Sequence, residues 1–96
     1  MMVLITYDIA ISQNNGANRL RKVAKLCQNY GTRVQNSVFE CIIDNQTFIK
    51  LKKQILDELD LAMDSVRFYQ LGNSFSNRVE HFGVKETWDL TGTLII

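Results

Sequence analysis

The chain is predicted to fold as an α+β domain of the ferredoxin-like kind, βαββαβ, with an antiparallel sheet carrying two helices on one face and extra strands at its C-terminal end. Three observations predict this. A nearly continuous apolar run, Met2 to Tyr7, opens the chain as a strand. Apolar residues then recur at spacings of three and four in two separate stretches, Leu20 to Tyr30 and Phe48 to Leu59, as amphipathic helices require. Between and after those stretches, segments rich in β-branched and aromatic residues are bounded by turn formers. Ninety-six residues fit a single domain, 1–96, because compact domains run from about 50 to 250 residues.

Each element has its own justification. Met2 to Tyr7 is apolar on successive positions, which predicts a strand buried on both faces near the middle of the sheet and ended by Asp8. Residues 12–18 are turn and cap formers, so Asn15 or Asn18 is expected to accept the first free amides of a helix that runs to Tyr30. Leu20, Val23, Ala24, Cys27 and Tyr30 share its buried face, Arg19, Lys22 and Lys25 its wet side, and Gly31 is expected to stop it in a left-handed conformation. Arg33 to Ile43 is extended, but eleven residues make a long strand for so small a domain. Gln35-Asn36-Ser37 offers a turn, so this segment is either a tight hairpin or one kinked strand. Asp44 or Asn45 caps the second helix, with Phe48, Leu51, Ile55 and Leu59 on its apolar face. Ser65 to Leu71 alternates as a strand and Gly72-Asn73-Ser74 ends it. Arg78 to Phe82 and Thr93 to Ile96 are short extended pieces.

A chain this short buries only roughly 60 to 70% of its unfolded surface, which favours stabilisation by a second chain. The closing residues Leu94, Ile95 and Ile96 would expose apolar side chains and an unpaired strand edge in water. A second copy covering them solves both problems, so a homodimer is expected with these residues at its contact.

Composition excludes several classes. Hydrophobic residues make up 46% and charged residues 22%, without repeats or low-complexity tracts, which is globular and not disordered. The net charge of +1 makes the chain no generic magnet for nucleic acid. The distribution is uneven, however. Residues 1–43 hold five basic groups (Arg19, Arg21, Lys22, Lys25, Arg33) against two acids (Asp8, Glu40), whereas residues 44–64 hold three against five, so an anion site belongs to the first half. Cys27 and Cys41 lack the spacing of a zinc site or disulfide framework and read as reduced core thiols. The N-terminus has no signal-peptide pattern and no apolar run approaches about 18 residues, so a cytoplasmic protein without a membrane partner is expected.

The chemistry-bearing residues cluster early. A carboxylate at a strand end, Asp8, with arginines close in sequence suggests work on a phosphate. Arg19, Arg21 and Arg33 offer forked donors to phosphate oxygens, and Lys22 and Lys25 extend the positive stripe. No base-reading signature accompanies them, so contact would give affinity without sequence preference. Ser37 either touches a phosphate or closes the hairpin; Tyr7 is a hydrogen-bonding residue of the site and Phe39 packs or stacks beside it. Taken alone, Asp8 equally fits a strand end that accepts turn amides, since no second acid lies nearby in sequence. His81, the only histidine, has no nucleophile near it in sequence and is assigned no catalytic role.

The strings Val3-Leu4-Ile5-Thr6-Tyr7-Asp8, Arg19-Leu20-Arg21-Lys22-Val23 and Tyr30-Gly31-Thr32-Arg33-Val34-Gln35-Asn36-Ser37-Val38-Phe39-Glu40-Cys41 together resemble the CRISPR-associated protein "Cas two" family, the small subunit of spacer acquisition. The resemblance implies a homodimer whose C-terminal strand, within residues of about 85–96 here, completes the sheet of the opposite subunit. It implies a scaffold that holds a spacer-precursor DNA duplex for the CRISPR integrase. It also implies a magnesium-dependent endonuclease acting on RNA or DNA, single-stranded RNA included, with Asp8 as metal ligand and Tyr7 beside it. One carboxylate is a sparse magnesium site, but two copies of Asp8 across a two-fold axis would share a cation. A structural interaction protein without chemistry, and an RNA-cleaving toxin of related fold, are the alternatives that the sequence leaves open.

Overall fold

A computed structural model of the chain describes residues 1–72 and 78–84. The elements run β1 (Met2–Asp8), α1 (Gly16–Tyr30), β2 (Gly31–Gln35), β3 (Val38–Ile42), α2 (Asn45–Glu58), β4 (Ser65–Leu71) and β5 (Arg78–Gly83). The sheet order is β2-β3-β1-β4-β5, and every neighbouring pair is antiparallel. This is the expected ferredoxin-like arrangement with one further strand, β5, on the edge of β4.

The segment from Arg33 to Ile43 resolves as a hairpin. Gln35, Asn36 and Ser37 break it, with a register shift between Arg33 and Gln35 that bends β2 at its end. Asp44 caps α2 as expected, its carboxylate accepting the Thr47 amide at 2.8 Å. At α1 the expectation fails: Asn15 is the N-cap residue but sits in the left-handed region at φ 67° and makes no side-chain capping bond.

Gly31 also differs from expectation. Its φ of −156° is extended, not left-handed, so its smallness serves a close approach. A Cβ there would strike the Glu40 carbonyl oxygen and lie 2.5 Å from the Cys41 Sγ, because β2 starts directly out of α1 against β3.

Both helices lie on one face of the sheet. Val3, Ile5, Tyr7, Phe39, Cys41, Val66 and Phe68 point into that layer and meet Val23, Cys27, Phe48, Leu51 and Ile55 from the helices. Phe68 is edge-on to Phe48 and Phe82, with centroids 5.7 and 6.1 Å apart. β1 is central, as predicted, but it is not buried on both faces. Val3, Ile5 and Tyr7 are buried while Met2, Leu4 and Thr6 are only half-buried, because among the described residues no element covers the second face. The expected Thr93–Ile96 strand and its contact residues Leu94, Ile95 and Ile96 lie outside the described residues, as do Asn73 and Ser74.

Candidate functional site

Strand alternation decides what the site can be. Tyr7 and Asp8 are neighbours in β1, so their side chains leave opposite faces of the sheet. The structure therefore separates two residues that the sequence groups together.

On the helical face, Tyr7 forms the floor of a cavity of about 580 Å³ between α1 and the β2–β3 hairpin. Ala17, Leu20 and Ala24 give it an apolar wall, and Arg21, Lys25 and Arg33 line it with no carboxylate among the described lining residues. Tyr7 stacks on Phe39 with centroids 6.2 Å apart, and the Arg33 guanidinium lies over the Phe39 ring at 5.2 Å. Burial raises the Tyr7 phenol and the Cys27 thiol adds to this, while Arg33 and a hydrogen bond with Ser37 oppose it, so the hydroxyl stays protonated. Ser37 lines the cavity from the β2–β3 turn, and its carbonyl ties that turn to β1 by accepting the Tyr7 amide at 3.1 Å. Of the basic residues singled out in sequence, Arg21, Lys25 and Arg33 converge here.

Lys22 and Arg19 do not. Lys22 is exposed on the next ridge of α1, 4.0 Å from Glu58. Arg19 turns inward: its Nε donates to the Asp64 Oδ2 at 2.8 Å and its Nη2 to Oδ1 at 3.2 Å, with further bonds to the carbonyls of Asn14 and Ala10. Four of its five N–H donors are used within the fold, which makes Arg19 a framework residue that does not share the groove with Arg21, Lys25 and Arg33.

Asp64, which the sequence reading counted only as local negative charge, is the other half of that framework. It is fully buried and also accepts the Ala10 and Asp60 amides, each at 2.9 Å. Burial would raise its carboxyl, but the Arg19 hydrogen bond and the two backbone amides outweigh burial and hold it below the ordinary carboxylate value. One side chain thus fastens the loop after Asp8, the start of α1 and the connection into β4. An acid just before a strand is the only sequence signal for it, and that signal names no partner.

On the open face, the exposed Asp8 lines a second cavity of about 340 Å³ with Thr6, Ser65, Arg67, Tyr69 and His81, and Tyr7, whose side chain faces the other way, borders this cavity as well. Ladder register assembles this set: Asp8 pairs with Ser65, Thr6 with Arg67, and Arg67 with His81. His81, assigned no role from the sequence, is thereby brought into the same cavity as Asp8, one strand beyond its neighbour β4, since the β4–β5 register cannot be read from spacing. The Arg67 Nε donates to the His81 Nδ1 at 2.9 Å, and the other ring nitrogen, Nε2, is 2.7 Å from the Val84 carbonyl. Among the described residues no cluster of three or more His, Cys, Asp or Glu side chains forms a metal cage. Asp8 and the hydroxyls of Thr6 and Ser65 nonetheless make a hard-oxygen donor set, which suits a hydrated magnesium ion completed by substrate phosphate. Among the described residues no helix is long and apolar enough to cross a membrane.

The chain's relatives agree with one another. A family model described as "CRISPR associated protein Cas2" matches residues 1–79. The chain is 53% identical over 96 residues to the CRISPR-associated endoribonuclease Cas2 of Chlorobaculum tepidum, covering 100% of both chains. It is 54% identical over 95 residues to the CRISPR-associated endonuclease Cas2 of Halalkalibacterium halodurans, covering 99% of both. Among solved structures, Streptococcus pyogenes Cas2 at pH 6.5 superposes with a TM-score of 0.70 at 49% identity, over 78% of this chain and 90% of that one.

Proposed function

The chain belongs to the CRISPR-associated Cas2 family, and we propose that it works as a homodimeric duplex-binding scaffold for the CRISPR integrase, with a phosphodiester-hydrolysing site at Asp8. The observation that carries the binding half is the cationic groove: Arg21, Lys25 and Arg33 on its walls, with no acid among the described residues that line it. Forked guanidiniums and an ammonium on a rigid helix and hairpin suit the backbone phosphates of a spacer-precursor duplex or of single-stranded RNA, without reading bases.

Dimerisation is supported by the open face. Ile42, Leu71 and Val79 are 79%, 39% and 58% exposed there, at the end of the sheet away from Asp8. A second copy laid on that face would cover them.

For hydrolysis, Asp8 would hold magnesium together with the partner's Asp8, and Thr6 and Ser65 would add hydroxyls beside it. When bound, the cation supplies Lewis acidity at the phosphoryl oxygen and lowers the pKa of a bound water. The residues of this chain orient the strand: the groove holds it and the cavity beside Asp8 receives the reacting phosphate.

A second reading, a scaffold without catalysis, is favoured by one fact, that among the described residues Asp8 is the only carboxylate lining its cavity. Cleavage of labelled single-stranded RNA and duplex DNA with magnesium or chelator decides between them. The first reading expects metal-dependent products that vanish in Asp8→Ala; equal activity in both proteins, or none in either, leaves the scaffold alone.

A further inference from the structure

We propose that the groove between α1 and the β2–β3 hairpin seats one unpaired nucleotide, its base against the apolar wall and its phosphate on the cations, so that a single strand enters the groove whereas a continuous duplex touches only its rim. The proposal rests on the reading of this groove as a nucleic-acid contact and names the part of the strand that fills it.

Ala17, Leu20, Arg21, Ala24 and Lys25 stand at spacings of three and four along α1, so they form one stripe that faces the hairpin. Apolar and cationic members alternate in it: Leu20 is followed by Arg21, and Ala24 by Lys25. The two alanines leave room above the wall, and the cavity volume of about 580 Å³ falls within the range of about 300 to 1,000 Å³ usual for a small-molecule site. Phosphate contact alone needs no such wall. A duplex turns phosphates and sugars outward and keeps its base faces stacked inside, so it would leave Leu20 and Ala24 in water. An unpaired nucleotide carries both a flat ring to cover them and an anion to meet the neighbouring cations.

The cations have donors to give. Arg21 and Lys25 are like charges one helical turn apart, an arrangement that repels in the free protein and is relieved by a bound anion. Arg33 faces them from the hairpin. Lys25 and Arg33 have no hydrogen-bond or ion-pair partner among the described residues, and Arg21 donates through Nη2 to the Asn18 side chain. The Arg33 guanidinium lies over the Phe39 ring at 5.2 Å, which places the group and uses none of its N–H donors. The hydroxyls of Tyr7 and Ser37 and the side-chain amide of Asn36 complete the lining with neutral groups that suit a sugar or a base edge. An acidic peptide would satisfy the charges, but its carboxylate side chains carry no flat ring for the wall.

The test blocks the wall and keeps the charges. Ala24→Leu fills the base seat, and Ala17→Met, at the exposed end of the same wall, is the second blocking variant. The Kd of the full chain is measured in chelator for a short single-stranded DNA, the same strand with abasic positions, and the corresponding duplex. Wild type is expected to bind the base-bearing strand about 10- to 100-fold more tightly than the abasic one, the gain that one stacked base brings. Each blocking variant should remove that gain while leaving abasic-strand and duplex affinities unchanged, which also shows that the variant has folded. Arg33→Gln, which keeps the wall, should weaken all three ligands.

Equal affinity of wild type for base-bearing and abasic strands, or equal weakening of strand and duplex by both blocking variants, overturns the proposal and leaves the cationic groove standing. Arg33→Gln without effect on any of the three ligands removes the groove reading, and the proposal with it. An oligoglutamate of matched charge is the last probe. If it displaces the base-bearing strand as well as unlabelled strand does, charge alone fills the groove and the nucleotide seat is overturned.

Discussion

Tyr7 and Asp8 are consecutive residues that serve opposite faces of one sheet: Tyr7 is 7% exposed and stacked on Phe39 beneath α1, whereas Asp8 lies exposed beside Arg67 and His81. The cationic groove and the Asp8 cavity therefore lie on opposite faces, so substitutions should separate the two proposed roles.

Removing groove cations should weaken binding in proportion to the phosphates released. Each phosphate contact contributes a slope of about −0.9 in log K against log salt for duplex DNA. Arg21→Gln with Arg33→Gln is expected to reduce the slope by about 2 per subunit, while Asp8→Ala leaves it unchanged. Kd titrations of one duplex at four salt concentrations measure both. A shared loss of slope in Asp8→Ala would mean that the two surfaces act as one.

The Arg19–Asp64 pair predicts a stability effect with a defined pH window. The Asp64 carboxyl is held below its unfolded value despite burial, so its contribution is present above roughly pH 4, the ordinary carboxylate pKa. It is lost as pH falls through the lower folded value. Wild-type Tm should therefore drop more steeply below about pH 4 than that of Asp64→Asn, which has no charge to lose. At neutral pH, Asp64→Ala leaves the Arg19 charge without its partner and should cost about 3 to 5 kcal/mol. Scanning calorimetry from pH 3 to pH 7 tests both statements, and parallel acid profiles would show that another group governs acid stability.

What was legible in the sequence follows from how local each signal is. Helix faces, the Asp44 cap and the turn at Gln35-Asn36-Ser37 depend on residues within a few positions of one another, and the structure agrees with them. The central place of β1 was legible as well, but its open second face was not, because an apolar run does not say how many layers will pack on it. The framework role of Arg19 was hidden for a related reason. Its partner is forty-five positions away, and nothing near Arg19 distinguishes it from Arg21, which does line the groove. Arg67 and His81 join Asp8 only through the register of two ladders, which spacing along one strand cannot supply.

The two cysteines should behave as inert core atoms. Burial pushes the Cys27 thiol up to about 12, with the Cys41 thiol adding to this and Arg33 opposing it; burial raises Cys41 too. Neither forms a disulfide. A neutral-pH thiol reagent is expected to label neither in the native protein and both after unfolding. Raised thiol values also mean that stability is full below the unfolded cysteine pKa of about 8.5 and declines as pH rises above it. Fast labelling of Cys27 in the native state would contradict its burial.

Gly31 is constrained by space and not by its backbone angle, and that distinction can be measured. An added Cβ meets two different neighbours, the Glu40 carbonyl oxygen and the Cys41 Sγ at 2.5 Å. The extended φ of −156° suits alanine, so any cost of Gly31→Ala comes from crowding. Overpacking of this kind costs about 1 to 3 kcal/mol. Cys41→Ala removes the sulfur but leaves the carbonyl, which belongs to the β3 backbone and cannot withdraw without disturbing its pairing with β1. The double variant Gly31→Ala/Cys41→Ala should therefore recover only part of the Gly31→Ala loss beyond the separate cost of the Cys41 cavity. A denaturant double-mutant cycle measures that coupling. Full recovery would assign the clash to sulfur alone, and zero coupling would place it entirely on the carbonyl.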